Sequence, residues 1–144
     1  DDDMQGWGGE NIDQSLRSWL CGGEIMSARD SHVAHMWRKP EDPRTASRYN
    51  VHPVHPRRNR LRAAMAWYGA FREKMNDFPQ FAMNYKNQDG SPWYGSIEKT
   101  EAISRRLGCK PLVWYFHRFE HIYKDGGLIP NRTFALSLQN SAMC

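Results

Sequence analysis

The run Trp7-Gly8-Gly9-Glu10-Asn11, continuing through Ser15, Arg17 and Trp19 to Cys21-Gly22-Gly23, constrains this chain more than any other stretch. Two adjacent glycines strip the side chains from a turn, so that backbone and ligand can approach closely, while an indole, a carboxylate and an amide crowd around the gap. That is the composition of a sugar pocket. The residues after the gap read as a helix. Asn11 is a good N-cap, Asp13 falls in the positive first turn, Ile12, Leu16, Trp19 and Leu20 form an apolar stripe, and Gly22 can close the end. Glu10 and Asn11 are thereby expected at a helix N-terminus, where free amide groups suit a hydroxyl-rich or anionic ligand. A Gly-rich loop in front of an ordinary core helix has the same spacing, and the residues alone leave both readings open.

Further along, Glu24 to Met26 and Val33 to Trp37 read as short strands around the polar turn Arg29-Asp30-Ser31. Pro40 to Pro56 is rich in proline, arginine and histidine without period, which predicts an irregular loop. Arg60 to Met75 carries Leu61, Ala64, Met65, Tyr68, Phe71 and Met75 at helical spacing, a stripe expected to pack on a sheet. Another helix is expected from Ile97 to Leu107, capped by Ser96 and stopped by Gly108. Pro111 opens a further one, with Leu112, Tyr115, Phe116, Phe119, Ile122 and Tyr123 on its apolar face, ending near Gly126-Gly127.

The 144 residues suffice for one domain, with no repeat or low-complexity tract. The net charge of +4 comes chiefly from Arg57, Arg58, Arg60, Arg62 and their neighbours. No zinc-finger spacing or RNA-binding signature accompanies that cluster, and Arg60, Arg62 and Arg72 are expected on the wet side of a helix; a solvated face is favoured over a nucleic-acid partner. Three cysteines without a Cys-x-x-Cys pair fit a secretory protein better than a cytosolic metal site. The sequon Asn131-Arg132-Thr133 agrees with that route. Among the histidines, His35 lies on an expected strand, and both a metal ligand and a hydrogen-bonded structural histidine fit it. His32, three residues away, falls on the opposite strand face. His52 and His55 flank a proline, and His117 and His121 share a helix face without acidic or thiol neighbours.

The opening run, with Asp1 and Met4 ahead of it, resembles the sugar-binding motif of the polypeptide N-acetylgalactosaminyltransferases, which begin mucin-type O-glycosylation. Three further blocks come after it in the same order. His35-Met36-Trp37-Arg38-Lys39 is similar to the family's His-hydrophobic-aromatic-Arg-Lys segment, Asn59, Arg62, Ala63 and Trp67 to its next helix, and Gly108-Cys109-Lys110-Pro111 with Trp114-Tyr115 to its late signature. Ser137-Leu138-Gln139-Asn140 followed by Cys144 resembles the opening of the ricin-like lectin repeat that trails the catalytic domain. Departures also exist: Asp30 stands where the family usually has a cysteine, Glu41, Asp42 and Pro43 occupy part of a donor-covering loop, and Met65 and Gly69 replace acidic residues.

The resemblance implies an α/β fold, the C-terminal half of a GT-A type nucleotide-sugar transferase domain, with short strands and about four helices. Residues 1–127 would belong to the catalytic domain and 128–144 to a linker and the first residues of the lectin domain. The implied activity is transfer of GalNAc from UDP-GalNAc to Ser or Thr hydroxyls of polypeptides with retention of configuration; a non-catalytic sugar- or peptide-binding relative is the alternative. Trp7 and Glu10 would act at the reacting sugar, Trp7, Glu10, Asn11 and Arg38 would bind the donor, and His35 would be one ligand of Mn2+. The two remaining ligands, an Asp-x-His pair, are expected upstream of Asp1, so the fragment alone is expected to be inactive. Cys21 and Cys109 match positions that are disulfide-bonded to each other, a bond worth about 4 kcal/mol in the chain-entropy picture. The implied location is the Golgi lumen, in a single-pass type II membrane protein whose anchor this chain lacks.

Overall fold

Gly9 decides where the first helix starts. In the structure, a computed structural model that describes residues 1–35, 39, 41–44 and 52–125, helix α1 runs Glu10–Leu20 with Gly9 as its N-cap at φ 91°. A glycine adopts that left-handed conformation without steric cost, so the helix begins before the expected cap, and Asn11 becomes its second residue. At the other end Gly22 is again left-handed, at φ 91°. The Gly23 N–H donates to the Ser18 carbonyl at 2.7 Å, which closes α1 in a Schellman motif.

Helix α2 spans Val54–Trp67, followed by 3₁₀ segments at Gly69–Asp77 and Pro79–Phe81. The expected single helix over Arg60 to Met75 is therefore two elements. It extends back to Val54, taking His55 and Pro56 out of the expected loop, because proline in a first turn removes no hydrogen bond that a helix would make there. It breaks at Gly69, whose φ is 52°. The tighter 3₁₀ winding then rotates the stripe: Met75 joins Leu61, Ala64 and Tyr94, whereas Phe71 turns to a cluster around Leu16, Leu20, Trp67 and Leu112.

Helix α3 is Glu98–Leu107, with Ser96 Oγ accepting the Glu98 N–H at 3.2 Å. Gly108 stops it at φ 61°, and the Cys109 N–H donates to the Ser104 carbonyl at 3.0 Å. This second Schellman motif delivers Cys109 to Cys21, and the two form a disulfide. Beside it the Lys110 N–H donates to the Leu20 carbonyl at 2.7 Å. The expected last helix is interrupted: α4 is Leu112–Arg118 and α5 is Glu120–Asp125. At the break Phe119 packs its ring 4.9 Å from Trp19 and 4.7 Å from Tyr115.

The described residues contain no strand, only an isolated antiparallel bridge between Lys86 and Pro92. The short strands expected at Glu24 to Met26 and in Val33 to Trp37 are corrected accordingly: 24–35 is irregular and exposed. Their alternation had a strand's period, but among the described residues no neighbouring edge accepts their backbone groups, and isolated strands are not stable. The α2 stripe correspondingly packs on side chains of Met75, Tyr94, Phe81, Met83, Trp93 and Ile97 instead of on a sheet. Met36, Trp37, Arg38, residues 40 and 45–51 of the Pro40–Pro56 loop, Gly126-Gly127, the sequon and the expected lectin start lie outside the described residues.

Helix α2 is the central element, since its two sides face the two clusters. One side presents Leu61 and Ala64; the other presents Asn59, Arg62, Ala63 and Trp67. Arg62, expected on the wet face, is only 1% exposed, the largest departure from the charge pattern.

Candidate functional site

The Trp7-to-Asn11 run is built against the start of α2. Gly9 is buried, and a Cβ on it would lie 2.7 Å from the Arg60 nitrogen and 2.8 Å from the Asn59 carbonyl carbon. A Cβ on Gly8 would meet Pro56 Cβ at 3.2 Å, and one on Gly6 would meet His55 Nδ1 at 2.6 Å. A second helix backbone thus approaches the glycines; they permit a crossing closer than any side chain would allow. The close approach that the glycines permit is, among the described residues, an approach to α2.

Asn59 fastens the stretch of chain before the run. Its Nδ2 donates to the Gln5 carbonyl at 2.7 Å and its Oδ1 accepts the Gln5 N–H at 3.2 Å, which reproduces a backbone pairing with one buried amide. Arg62 fastens residues further back. Its Nε and Nη2 donate to both Asp1 carboxylate oxygens at 2.8 Å, its Nη2 also to Asp3 Oδ2 at 3.2 Å, and its Nη1 to the Tyr94 carbonyl at 2.8 Å. A planar fork meeting a carboxylate through two bonds is the arrangement that makes a buried guanidinium tolerable. Asp13 continues the network on α1: it accepts the Trp67 Nε1–H at 2.7 Å and lies 3.3 Å from the Asp1 nitrogen.

On this support the expected ligand-binding side chains face outward. Trp7 is 57% exposed, and Glu10 and Asn11 are exposed in the first turn of α1. Among the described residues no side chain caps that turn, which leaves its leading N–H groups beside them. Asn11 also stands at the rim of a cleft of about 560 Å3, whose walls include Ser15, Tyr68, Phe71, Lys74 and Tyr115. Burial raises the Tyr68 phenol above its ordinary value of 10.0. Trp7 and Glu10 do not line the cleft.

His35 is exposed in the irregular segment. The described residues contain no group of three His, Cys, Asp or Glu side chains that could hold a metal. One imidazole on an irregular segment does not make a manganese site, and no chemical step is assigned to a metal held by these residues alone. Arg38, the expected diphosphate ligand, lies outside the described residues. Cys21 and Cys109 pair as expected.

Asn59 and Arg62 stand together in a block that resembles the family's next helix, but neither their burial nor their link to Asp13 was legible in the sequence. Asn59 and Arg62 are three apart on one helix, a spacing that marks one face, but arginine composition pointed that face toward water.

No protein-family profile matches the chain. Individual relatives do. The chain is 33% identical over 133 residues, 92% of its length, to human polypeptide N-acetylgalactosaminyltransferase 13. It is 31% identical over 115 residues to a probable N-acetylgalactosaminyltransferase 9 of Caenorhabditis elegans, and 32% identical over 117 residues to an inactive polypeptide N-acetylgalactosaminyltransferase-like protein 5 of Macaca fascicularis, in each case over 80% of its length. It spans 21%, 18% and 23% of these relatives, respectively. The matched stretch includes the bulk of the chain, and by that similarity the chain belongs to the polypeptide N-acetylgalactosaminyltransferase family.

Proposed function

We propose that this chain is the C-terminal part of the catalytic domain, of GT-A type, in a retaining glycosyltransferase that moves GalNAc from UDP-GalNAc to Ser or Thr hydroxyls of polypeptides. The single observation that carries this reading is the similarity over 92% of the chain to a polypeptide N-acetylgalactosaminyltransferase. The geometry at the start of α1 supports it: Trp7, Glu10 and Asn11 stand exposed together at an uncapped helix end. Residues 1–127 are assigned to the catalytic domain and 128–144 to a linker and the start of a lectin domain. The whole protein is assigned to the Golgi lumen on a single membrane anchor; no described helix of this chain is long and apolar enough to cross a membrane.

In this reading each side chain has a limited task. The Trp7 indole N–H donates toward the donor's diphosphate or sugar, and the Glu10 carboxylate accepts hydrogen bonds from sugar hydroxyls. Asn11 offers both a donor and an acceptor beside it. Arg38 supplies a planar cation for the diphosphate. Glu10 orients the sugar and forms no covalent bond to it; the departing phosphate takes the acceptor hydroxyl's proton as the new bond forms on the same face. His35 would be one donor to Mn2+, with the other donors supplied from the part of such proteins that this chain does not match. When bound, the metal neutralises charge on the departing diphosphate.

The test is donor binding by the full-length protein. Glu10→Gln and Trp7→Ala should each weaken UDP-GalNAc by about tenfold or more, the loss of one charge-assisted or indole hydrogen bond, with UDP itself less affected by the Glu10 change. Unaltered donor affinity in both variants overturns the assignment. The 144-residue chain alone should show no transfer.

A second reading is favoured by the relative named inactive, 32% identical over 117 residues. A non-catalytic protein of this family would keep sugar or peptide binding without turnover. Donor binding with no GalNAc transfer to any Ser/Thr peptide by the full-length protein selects it.

A further inference from the structure

We infer that a second cleft, at the opposite end of α1 from the Trp7-to-Asn11 run, is a binding site for an acidic saccharide. It encloses about 380 Å3 and is lined by Trp19, Gly22, Gly23, Glu24, Lys110, Trp114 and Arg118. That volume falls within the range of small-ligand sites.

Its framework is rigid. The Schellman end of α1 fixes Gly22 and Gly23, the Cys21–Cys109 disulfide joins that end to the chain before α4, and the Lys110 N–H bond to Leu20 locks the junction. The backbone that carries Trp19, Gly22, Gly23 and Lys110 is thereby fixed before a ligand arrives, which lowers the ordering cost of binding. From α1 comes the indole of Trp19, held edge-on against Phe119. From the other wall come Trp114 and Arg118, four apart on one face of α4, and Lys110 from the chain just before it.

The chemistry selects the ligand class. With the Trp114 ring beside it carrying the Lys110 ammonium, the Trp19 indole supplies an electron-rich face that packs against the slightly positive C–H face of a pyranose ring. The glycines leave the ring room without side chains of their own. Glu24 is exposed, with no ion pair or hydrogen bond to its side chain among the described residues, and can accept sugar hydroxyls. Arg118 is likewise exposed and without a partner among them, and the Lys110 ammonium rests 4.1 Å from the centre of the Trp114 ring. Two cations against one carboxylate leave the cleft positive, which favours a saccharide carrying a carboxylate or sulfate over a neutral one. Glu24 within the cleft opposes a strand of successive phosphates, so a nucleic acid fits it less well. This site is independent of the donor reading, since none of its side chains belongs to that set.

Titration of the 15N-labelled chain tests it through the indole N–H resonances of Trp19 and Trp114. Sialyllactose should shift both saturably, and lactose should bind more weakly by at least about tenfold, the loss of one charge-assisted contact. The K110A/R118A variant, altered only at exposed positions, should lose sialyllactose affinity by about tenfold or more; Arg118→Gln serves alone if the double variant does not fold. Absence of the shifts, equal affinity for lactose, or unchanged affinity in the variant overturns the proposal. Sodium sulfate or a single-stranded oligonucleotide binding as tightly as sialyllactose overturns it too, making the cleft an anion site.

Discussion

The indole nitrogen of Trp67 donates to Asp13 Oδ1 at 2.7 Å, joining α2 to α1 through a bond shielded from water on both sides. Asp13 also lies 3.8 Å from Arg17 one turn along its own helix. A buried carboxylate depends on such donors, and removing one leaves it short of a partner. Trp67→Phe should therefore destabilise the fold by about 2 kcal/mol, part of it from the lost packing. Urea unfolding checks this; a change below about 0.5 kcal/mol would mean that the bond contributes nothing net.

Gly9 sits at φ 91° with Arg60 and Asn59 backbone where a methyl group would go. Gly9→Ala combines a left-handed conformation unfavourable to alanine with a clash that no flexible side chain can relieve. A loss of about 3 kcal/mol or more is expected in thermal or denaturant unfolding. Gly22→Ala, at the same φ but with open space around it, should cost about 1 kcal/mol.

Reduction of the Cys21–Cys109 disulfide, which closes 88 residues of sequence, should lower stability by about 4 kcal/mol in the chain-entropy picture. Unfolding of the oxidised chain and of a C21A/C109A variant measures the difference. The variant should show loss of order at the α1–α4 junction first, since the Lys110 N–H bond to Leu20 sits beside the bridge.

Tyr68 gives a pH dependence with a definite sign. Its phenol ionises near 10.0 in the unfolded chain and higher in the folded one, because burial disfavours the phenolate. Above pH 10.0 the unfolded chain thus releases this proton first. The contribution is present in full below that pH and is lost as pH climbs through the folded value. Tyr68→Phe should flatten the alkaline limb of the stability profile, and ultraviolet titration should show one fewer late-ionising phenol.

The parts of the fold legible in the sequence are those where local chemistry and burial agree. Glycines at 22 and 108 end α1 and α3 because both ends require a left-handed residue, and Leu16 and Leu20 lie inward as their spacing predicts. The family and the cysteine pairing were legible from blocks of residues in order. Tertiary context decided the rest. Arg62 is inside because Asp1, Asp3 and the Tyr94 carbonyl surround it, and no helical period records partners thirty or more residues away. Gly69, one residue within an otherwise helical stripe, redirects Phe71 and Met75 to different clusters. The strand pattern at 24–26 has no partner strand among the described residues, a condition that alternation alone does not express.

The crossing at Gly9 makes α2 the ruler by which the exposed turn is set. Glu10 comes directly after a buried residue that packs against the α2 backbone, so its position is set by a helix–helix contact and not by a surface loop. A substitution along the α1–α2 contact therefore reaches Glu10 and Asn11 through the start of α1, and a loss of binding there is separable from a shift in helix registration only when both are measured on the same variant.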